Sequence, residues 1–560
     1  MSEPLKLRAI FSHSPCAPAI IRVVRGRIAI LILSNIDGYA FDSNGDRFDA
    51  VAVADGRIVA VGTAADLFDR YRLAHPERLD GRGAVALPGF IDSHLHVSGV
   101  ASTLAELDVA DALSIDDLLG RIAAYARSRE PGQWIVGGGF DENRFPERRL
   151  PTLAELDQAT GNTPLFLARV CRHVYLANSA AFAAAGVGRD TPDPIAGFFS
   201  RDARGEWTGA VYEQAALPFL AALPDRSDEE WIEILSNALS QLARLGITEI
   251  HSDDCRYLGG FLRTRVLLSR AQQRVPIRIH ELLSLEDWRQ GRLSQTPLPT
   301  RSDDGLLTFG AVKLFADGSF GGRTAWLKEP YVDAPHTGQP TYTRTELGQL
   351  VEAIHADGFA VAIHAIGDAA LDAVLEALEA HPPTPDAILP DRIVHASLFS
   401  EEAAARAAKL AVVIDVQPRF ITSDLPWLRE RIGSHRVRRA YPFRSLLQAG
   451  LKLAGGSDAP VEPAPPLLGM HAAATRRILG QTEVYGGHES LTIDQAIRLY
   501  TKDGAVARGG DKRTLEPGSP ADLVLLSRNP FDCLDADELL KIQIVGTVVG
   551  GRPVYWAARE

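Results

Sequence analysis

Leu87-Pro-Gly-Phe-Ile-Asp-Ser-His94-Leu-His96 is an apolar run that ends in two histidines. In a β-strand successive side chains point to opposite faces, so residues two apart share a face. His94 and His96 can therefore aim two imidazoles at one point, a donor pair that suits zinc, iron, nickel or copper. A lone His-x-His is common by chance. This one gains weight because suitable partners end other apolar runs further along the chain.

Those partners come in order. Gly310-Ala-Val-Lys313-Leu-Phe-Ala-Asp317 places a lysine inside an apolar strand just before a turn. Phe359-Ala-Val-Ala-Ile-His364 and Arg392-Ile-Val-His395 each end in histidine, and Leu451-Lys-Leu-Ala-Gly-Gly-Ser-Asp458 ends in aspartate. Three more runs read as strands: Gly246-Ile-Thr-Glu-Ile-His251, Val275-Pro-Ile-Arg-Ile-His280 and Ala411-Val-Val-Ile-Asp-Val-Gln417. Most of these eight runs are separated by stretches with helical periodicity, such as Leu371 to Glu379 and Glu401 to Leu410. Alternating strands and helices call for a parallel sheet, and eight such units for a closed (β/α)8 barrel of the TIM type. In that fold function sits at the C-terminal strand ends, where every candidate ligand falls.

The motifs Leu87-Pro-Gly-Phe-Ile-Asp-Ser-His-Leu-His, Val312-Lys-Leu-Phe-Ala-Asp-Gly-Ser, Ala362-Ile-His-Ala-Ile-Gly-Asp, Val416-Gln-Pro and Gly456-Ser-Asp-Ala-Pro-Val resemble those of the amidohydrolase superfamily. The resemblance is to the branch of N-substituted formamide deformylase and related metal-dependent hydrolases, and runs from about Ile28 to the C-terminus. It implies that His94, His96 and Asp458 bind one divalent cation, that His364 and His395 bind a second, and that Lys313 bridges them as a carbamate formed with CO2. The expected cofactor is one or two divalent metals per chain, zinc foremost. A desolvated amine favours its neutral form, which can capture CO2 and become a bidentate anion able to hold cations roughly 3.5 to 4 Å apart. A second reading stays open, in which Lys313 remains an ammonium paired to a carboxylate, Asp317 being available, in a single-metal enzyme.

These parts specify a chemistry. A divalent cation lowers the pKa of bound water towards about 7 and polarises a carbonyl. Asp458 would take the water proton and deliver it to a leaving amine. The expected activity is metal-dependent hydrolysis of a non-peptide C–N bond in a small molecule: an amide, formamide, carbamate or cyclic amide. Ester or lactone hydrolysis on the same site is the alternative within chemistry, and an inactive regulatory scaffold the alternative outside it. Serine-hydrolase elbows, dinucleotide fingerprints, Cys-x-x-Cys pairs and phosphate-cradling loops are all missing from the sequence.

The outer regions frame the barrel. Residues 1–27 form an extension without a convincing signal sequence. Residues 28–84 and 509–560 carry short strand patterns, including an Asp55-Gly56 hairpin signal, and are expected to pair into one small β domain. The barrel region spans 85–508 and includes an insertion at 98–245, long enough to act as a cap. Within it, around a resemblance to a family motif with glycine before the histidine, His173 could donate to an oxyanion, orient substrate or pack within the cap, and Arg172, at the glycine position, could bind a carboxylate or face solvent. Arg323 could clamp an anionic substrate group or make a surface salt bridge, and Gln417 could contact substrate. His251 and His280 end strands, where they could serve the pocket or the core.

Composition narrows the classes. The 560 residues are 46% hydrophobic and 23% charged, as in globular proteins, and can bury a large core. A formal charge of −12 argues against a nucleic-acid surface. No apolar run reaches membrane-span length. The four cysteines show no disulfide-framework spacing, which fits a reduced cytoplasmic setting. A homodimer is the default assembly from homo-oligomer frequencies.

Overall fold

The computed structural model describes residues 30–41, 45, 47–129, 133–169, 174–194, 197–294, 301–302, 304–384, 387, 389–509 and 513–558, together with the strands Val23–Val24 and Arg27–Ile28; of 292–294 and these two strands only the backbone is described. Eight parallel strands form the centre: Phe90–Leu95, Ile247–Ser252, Arg278–Ser284, Leu307–Phe315, Ala360–Ala365, Asp391–His395, Val412–Val416 and Lys452–Gly455. They neighbour one another in chain order, and helices run between most successive pairs. This is the (β/α)8 barrel expected from the sequence. Strands covered on both faces have no solvent side to make polar, which is why they read as near-continuous apolar runs.

The ring closes where the last strand meets the first. The Asp458 N–H donates to the His94 carbonyl at 2.6 Å, and the His96 N–H to the Ala459 carbonyl at 2.8 Å. Gly456 makes that approach feasible, since a Cβ there would lie 2.6 Å from the His94 nitrogen. Closure thus seats Asp458 beside both histidines of the first strand.

Two further sheets flank the barrel. A seven-stranded sheet takes Leu31–Tyr39, Arg47–Ala54, Arg57–Gly62 and Glu77–Pro88 from one end of the chain, and Leu523–Leu526, Ile544–Val549 and Arg552–Trp556 from the other. Its Arg47–Ala54/Arg57–Gly62 hairpin turns on Asp55 (φ 49°) and Gly56 (φ 73°), the positive-φ pair that two-residue hairpin loops demand. The six-stranded sheet lies wholly within the segment between the first two barrel strands, from Leu107–Asp108 to Trp207–Glu213. It has its own apolar core, with Phe166, Phe182, Phe199 and Phe219 buried together. The helix Asp228–Arg244, opened by a Ser227/Glu230 capping box, leads the chain back to the second barrel strand. None of the described helices is long and apolar enough to cross a membrane.

Candidate metal centre

The first barrel strand delivers its histidines to the C-terminal end of the ring. His94 is buried, and His96 is partly exposed. Asp458 follows the eighth strand with φ at 60°, and His395 ends the sixth at 73°. Left-handed backbone is uncommon outside glycine, although Asp and His adopt it more readily than most residues, and such positions cluster at functional sites. One ligating atom each from His94, His96 and Asp458 lie within 4.8 Å of one another. Asp458 Oδ1 is 3.1 Å from His96 Nε2 and 3.5 Å from His94 Nε2. The same oxygen is buried and lacks a well-aligned hydrogen bond, as do His96 Nδ1 and Asp253 Oδ1. Two imidazoles and a carboxylate oxygen converging in a buried cluster form a donor set that fits a divalent metal.

The other candidates ring this trio. Lys313 Nζ, on the fourth strand, lies 3.1 Å from His94 Nε2. The His395 ring packs 5.5 Å from His94 and 4.6 Å from His364, centroid to centroid. His364 Nε2–H donates to the Gly318 carbonyl at 3.0 Å, which leaves Nδ1 with its lone pair. Burial, reinforced by the Lys313 amine, drives His94 well below the ordinary imidazole value. Burial does the same to His395 and pulls His364 down to about 4. These three rings are therefore neutral near pH 7, as metal ligands must be. His96 differs: burial pulls it down, but the Asp253 and Asp458 carboxylates outweigh that and raise it to about 11. A cavity of about 520 Å³ opens beside the cluster, lined by Asp253, Arg256, Leu282, Lys313, Phe315 and Tyr342 among others. That volume is in the range of small-molecule sites.

A family model described as the amidohydrolase family matches residues 77–555. This chain belongs to the amidohydrolase family. It is 36% identical to YtcJ of Bacillus subtilis (strain 168) over 527 residues, covering 92% of this chain and 98% of that one. It is 29% identical to the N-substituted formamide deformylase of Arthrobacter pascens over 542 residues, covering 93% and 97% of the two chains. An uncharacterised metal-dependent hydrolase from Pyrococcus horikoshii OT3 superposes with a TM-score of 0.75 at 30% identity, covering 90% of this chain and 99% of that one. As a member of this family the chain is a hydrolase acting on C–N bonds.

Not every residue singled out in the amidohydrolase sequence reaches the cluster. Arg172 and His173 lie outside the described residues. Arg323 makes a partly exposed ion pair, its Nη2 2.7 Å from Asp333 Oδ2. Gln417, the candidate substrate contact, is buried beside the cluster and accepts from His395 Nδ1–H at 2.7 Å. Asp317 does not partner Lys313. It accepts the backbone N–H groups of Trp326, Ile366 and Gly367, and burial raises its carboxyl to about 7. His251 and His280 sit inside the barrel, bonded to Glu249 and Thr308.

Asp253 belongs to the cluster although its sequence context did not single it out. It follows the second strand, with Oδ1 2.5 Å from His96 Nδ1 and Oδ2 3.5 Å from Lys313 Nζ. A signal existed in His251-Ser-Asp-Asp254, two carboxylates at the C-terminal end of a barrel strand.

Proposed function

We propose that this amidohydrolase cleaves the C–N bond of a small amide, formamide, carbamate or cyclic amide. The observation that supports it is the convergence of His94, His96 and Asp458, with Lys313 against His94. In this reading those three side chains hold one divalent cation, zinc foremost, and His364 and His395 hold a second. Lys313, as a carbamate formed from CO2 with loss of a proton, would supply a further anionic ligand. When bound, the metal supplies an acidified water and an electrophile for the scissile carbonyl.

The remaining work falls to the chain. Asp458 accepts the proton of the attacking water and passes it to the nitrogen as the C–N bond breaks, so the acyl group leaves as an acid (a carbonic half-ester from a carbamate) and the nitrogen as an amine, the two joined in one product when the substrate is cyclic. His395, held through Nδ1 by Gln417, keeps Nε2 free to act as a donor atom. The cavity beside Lys313 receives the rest of the substrate, with Phe315, Leu282 and Tyr342 as apolar walls. Burial of this region strengthens the interactions made there by excluding water.

The test joins elemental analysis to a substrate screen. Protein purified without chelator should carry about two metals per chain, fewer in Lys313→Ala, and should hydrolyse members of an amide and formamide panel. One metal, insensitive to Lys313→Ala, would remove the bridge. Turnover of esters or lactones alone would overturn the bond assignment. No metal, even after reconstitution, would leave an inactive scaffold.

A further inference from the structure

The segment Ser252-Asp253-Asp254-Cys255 makes contacts that the proposed ligand set leaves unexplained. Asp253 is buried, and its two oxygens face different members of the cluster: Oδ1 is 2.5 Å from His96 Nδ1, and Oδ2 is 3.5 Å from Lys313 Nζ. His96 meets Asp458 with its other nitrogen, Nε2, at 3.1 Å. The ring is thus spanned, a carboxylate at each nitrogen.

The neighbouring carboxylates grip the backbone around the same histidine. Asp254 accepts from the Val97 N–H at 3.2 Å and the Ser98 N–H at 3.0 Å, the first residues of the helix that His96 caps. It also accepts from the Ser98 and Ser252 hydroxyls. Glu281, on the next strand, accepts the N–H groups of Asp254 at 2.6 Å and Cys255 at 3.1 Å. Glu281 fixes the segment, Asp254 ties it to the backbone just past His96, and Asp253 then meets the ring.

We infer that Asp253 is the positioning residue of the metal centre, holding Nδ1 of His96 so that Nε2 points at Asp458 and His94, and steadying Lys313 with its second oxygen. The physical case is general. A histidine that donates one ring N–H to a carboxylate has its tautomer and orientation set and its other nitrogen made more basic, and losing such a partner typically costs about 10–100-fold in metal affinity or activity. Free rotation about the His96 side chain would otherwise sweep Nε2 away from the two atoms it must join. The inference rests on the metal reading proposed above.

The experiment compares the full-length wild type with Asp253→Ala and Asp253→Asn. Zinc affinity is measured by competition with a chromogenic chelator, and the cobalt-substituted proteins are compared by visible absorption. Asp253→Ala should bind zinc about 10–100-fold more weakly, with an altered cobalt spectrum and a lower kcat at little-changed KM. Asp253→Asn keeps the shape and an acceptor oxygen for Nδ1–H, so it should recover part of the affinity and hold the wild-type thermal midpoint. Wild-type zinc affinity and an unchanged cobalt spectrum in Asp253→Ala would overturn the inference while leaving the hydrolase intact. Wild-type protein that binds neither metal would remove the metal reading itself, and this inference with it.

Discussion

At the floor of the barrel, arginines and carboxylates meet in opposite-sign pairs; at its mouth, four imidazoles gather around two carboxylates and one amine. Arg508 lies 3.0 Å from Glu249, Arg278 2.6 Å from Asp522, and Arg392 2.7 Å from Asp415, while Arg513 bonds to both Glu249 and Asp522. Burial opposes the Glu249 carboxylate, yet Arg508 and Arg513 outweigh it and hold the group well below its ordinary value. The mouth has one amine, Lys313, and its rings His94, His364 and His395 are kept neutral by burial. The two ends are buried to a similar depth and differ in what their polar atoms face. Charges that face one another make a floor that ties the barrel to the seven-stranded sheet through Asp522. Lone pairs that converge make a site for a cation.

The contrast breaks first, if it is wrong, at the mouth. His94→Ala or Asp458→Ala should lower kcat/KM by at least about 1,000-fold, as expected when a metal-centred transition-state interaction is lost, while circular dichroism and the thermal midpoint change little. Full activity in either variant would end the proposed mechanism. At the floor the signature should reverse. Glu249→Ala leaves Arg508 and Arg513 without that carboxylate and should cost about 3–5 kcal/mol of stability, read by denaturant unfolding, with metal content per folded chain unchanged.

Asp92 stands between the two ends and sharpens the comparison through pH. It accepts from the Ser457 hydroxyl at 2.6 Å and from the Ser457 and His94 N–H groups, yet burial raises it to about 7. An acid raised in the folded state binds more protons folded than unfolded. Its stabilisation is therefore complete below about pH 4 and lost as pH rises through about 7. Asp92→Asn mimics the protonated acid, so its stability relative to wild type should climb over that window, by at most about 4 kcal/mol. A flat difference across the window would contradict the assignment.

Smaller effects test which contacts belong to the mouth at all. Gln417→Leu removes the acceptor on His395 and should lower metal affinity or activity about 10–100-fold; chelator competition reads it. Arg323→Ala, which breaks only an exposed ion pair, should change stability by less than about 1 kcal/mol and leave kcat/KM unaltered. A large loss of activity there would return Arg323 to the substrate site.

Much of this was legible in the chain itself. The eight strands and the positions of His94, His96, Lys313, His364, His395 and Asp458 at or near strand ends come from short apolar runs closed by polar residues, which is a local property. Partners are not local. Asp317 looked available to Lys313, four residues away, but the turn folds its carboxylate under three N–H groups of Trp326, Ile366 and Gly367. Asp253 reaches Lys313 instead, from a strand two places away in the ring.

The sequence by itself determined the barrel, because patterning decides which residues are buried and which end of a strand carries polar side chains. It also determined the kind of chemistry, since imidazoles, a lysine and an aspartate in that order define a donor set. Only the tertiary structure decided the pairings: Asp253 with His96, Gln417 with His395, and Arg323 with Asp333. A side chain's partner depends on which strands become neighbours and on backbone turns such as the left-handed Asp458 and His395, and neither is encoded in any single stretch.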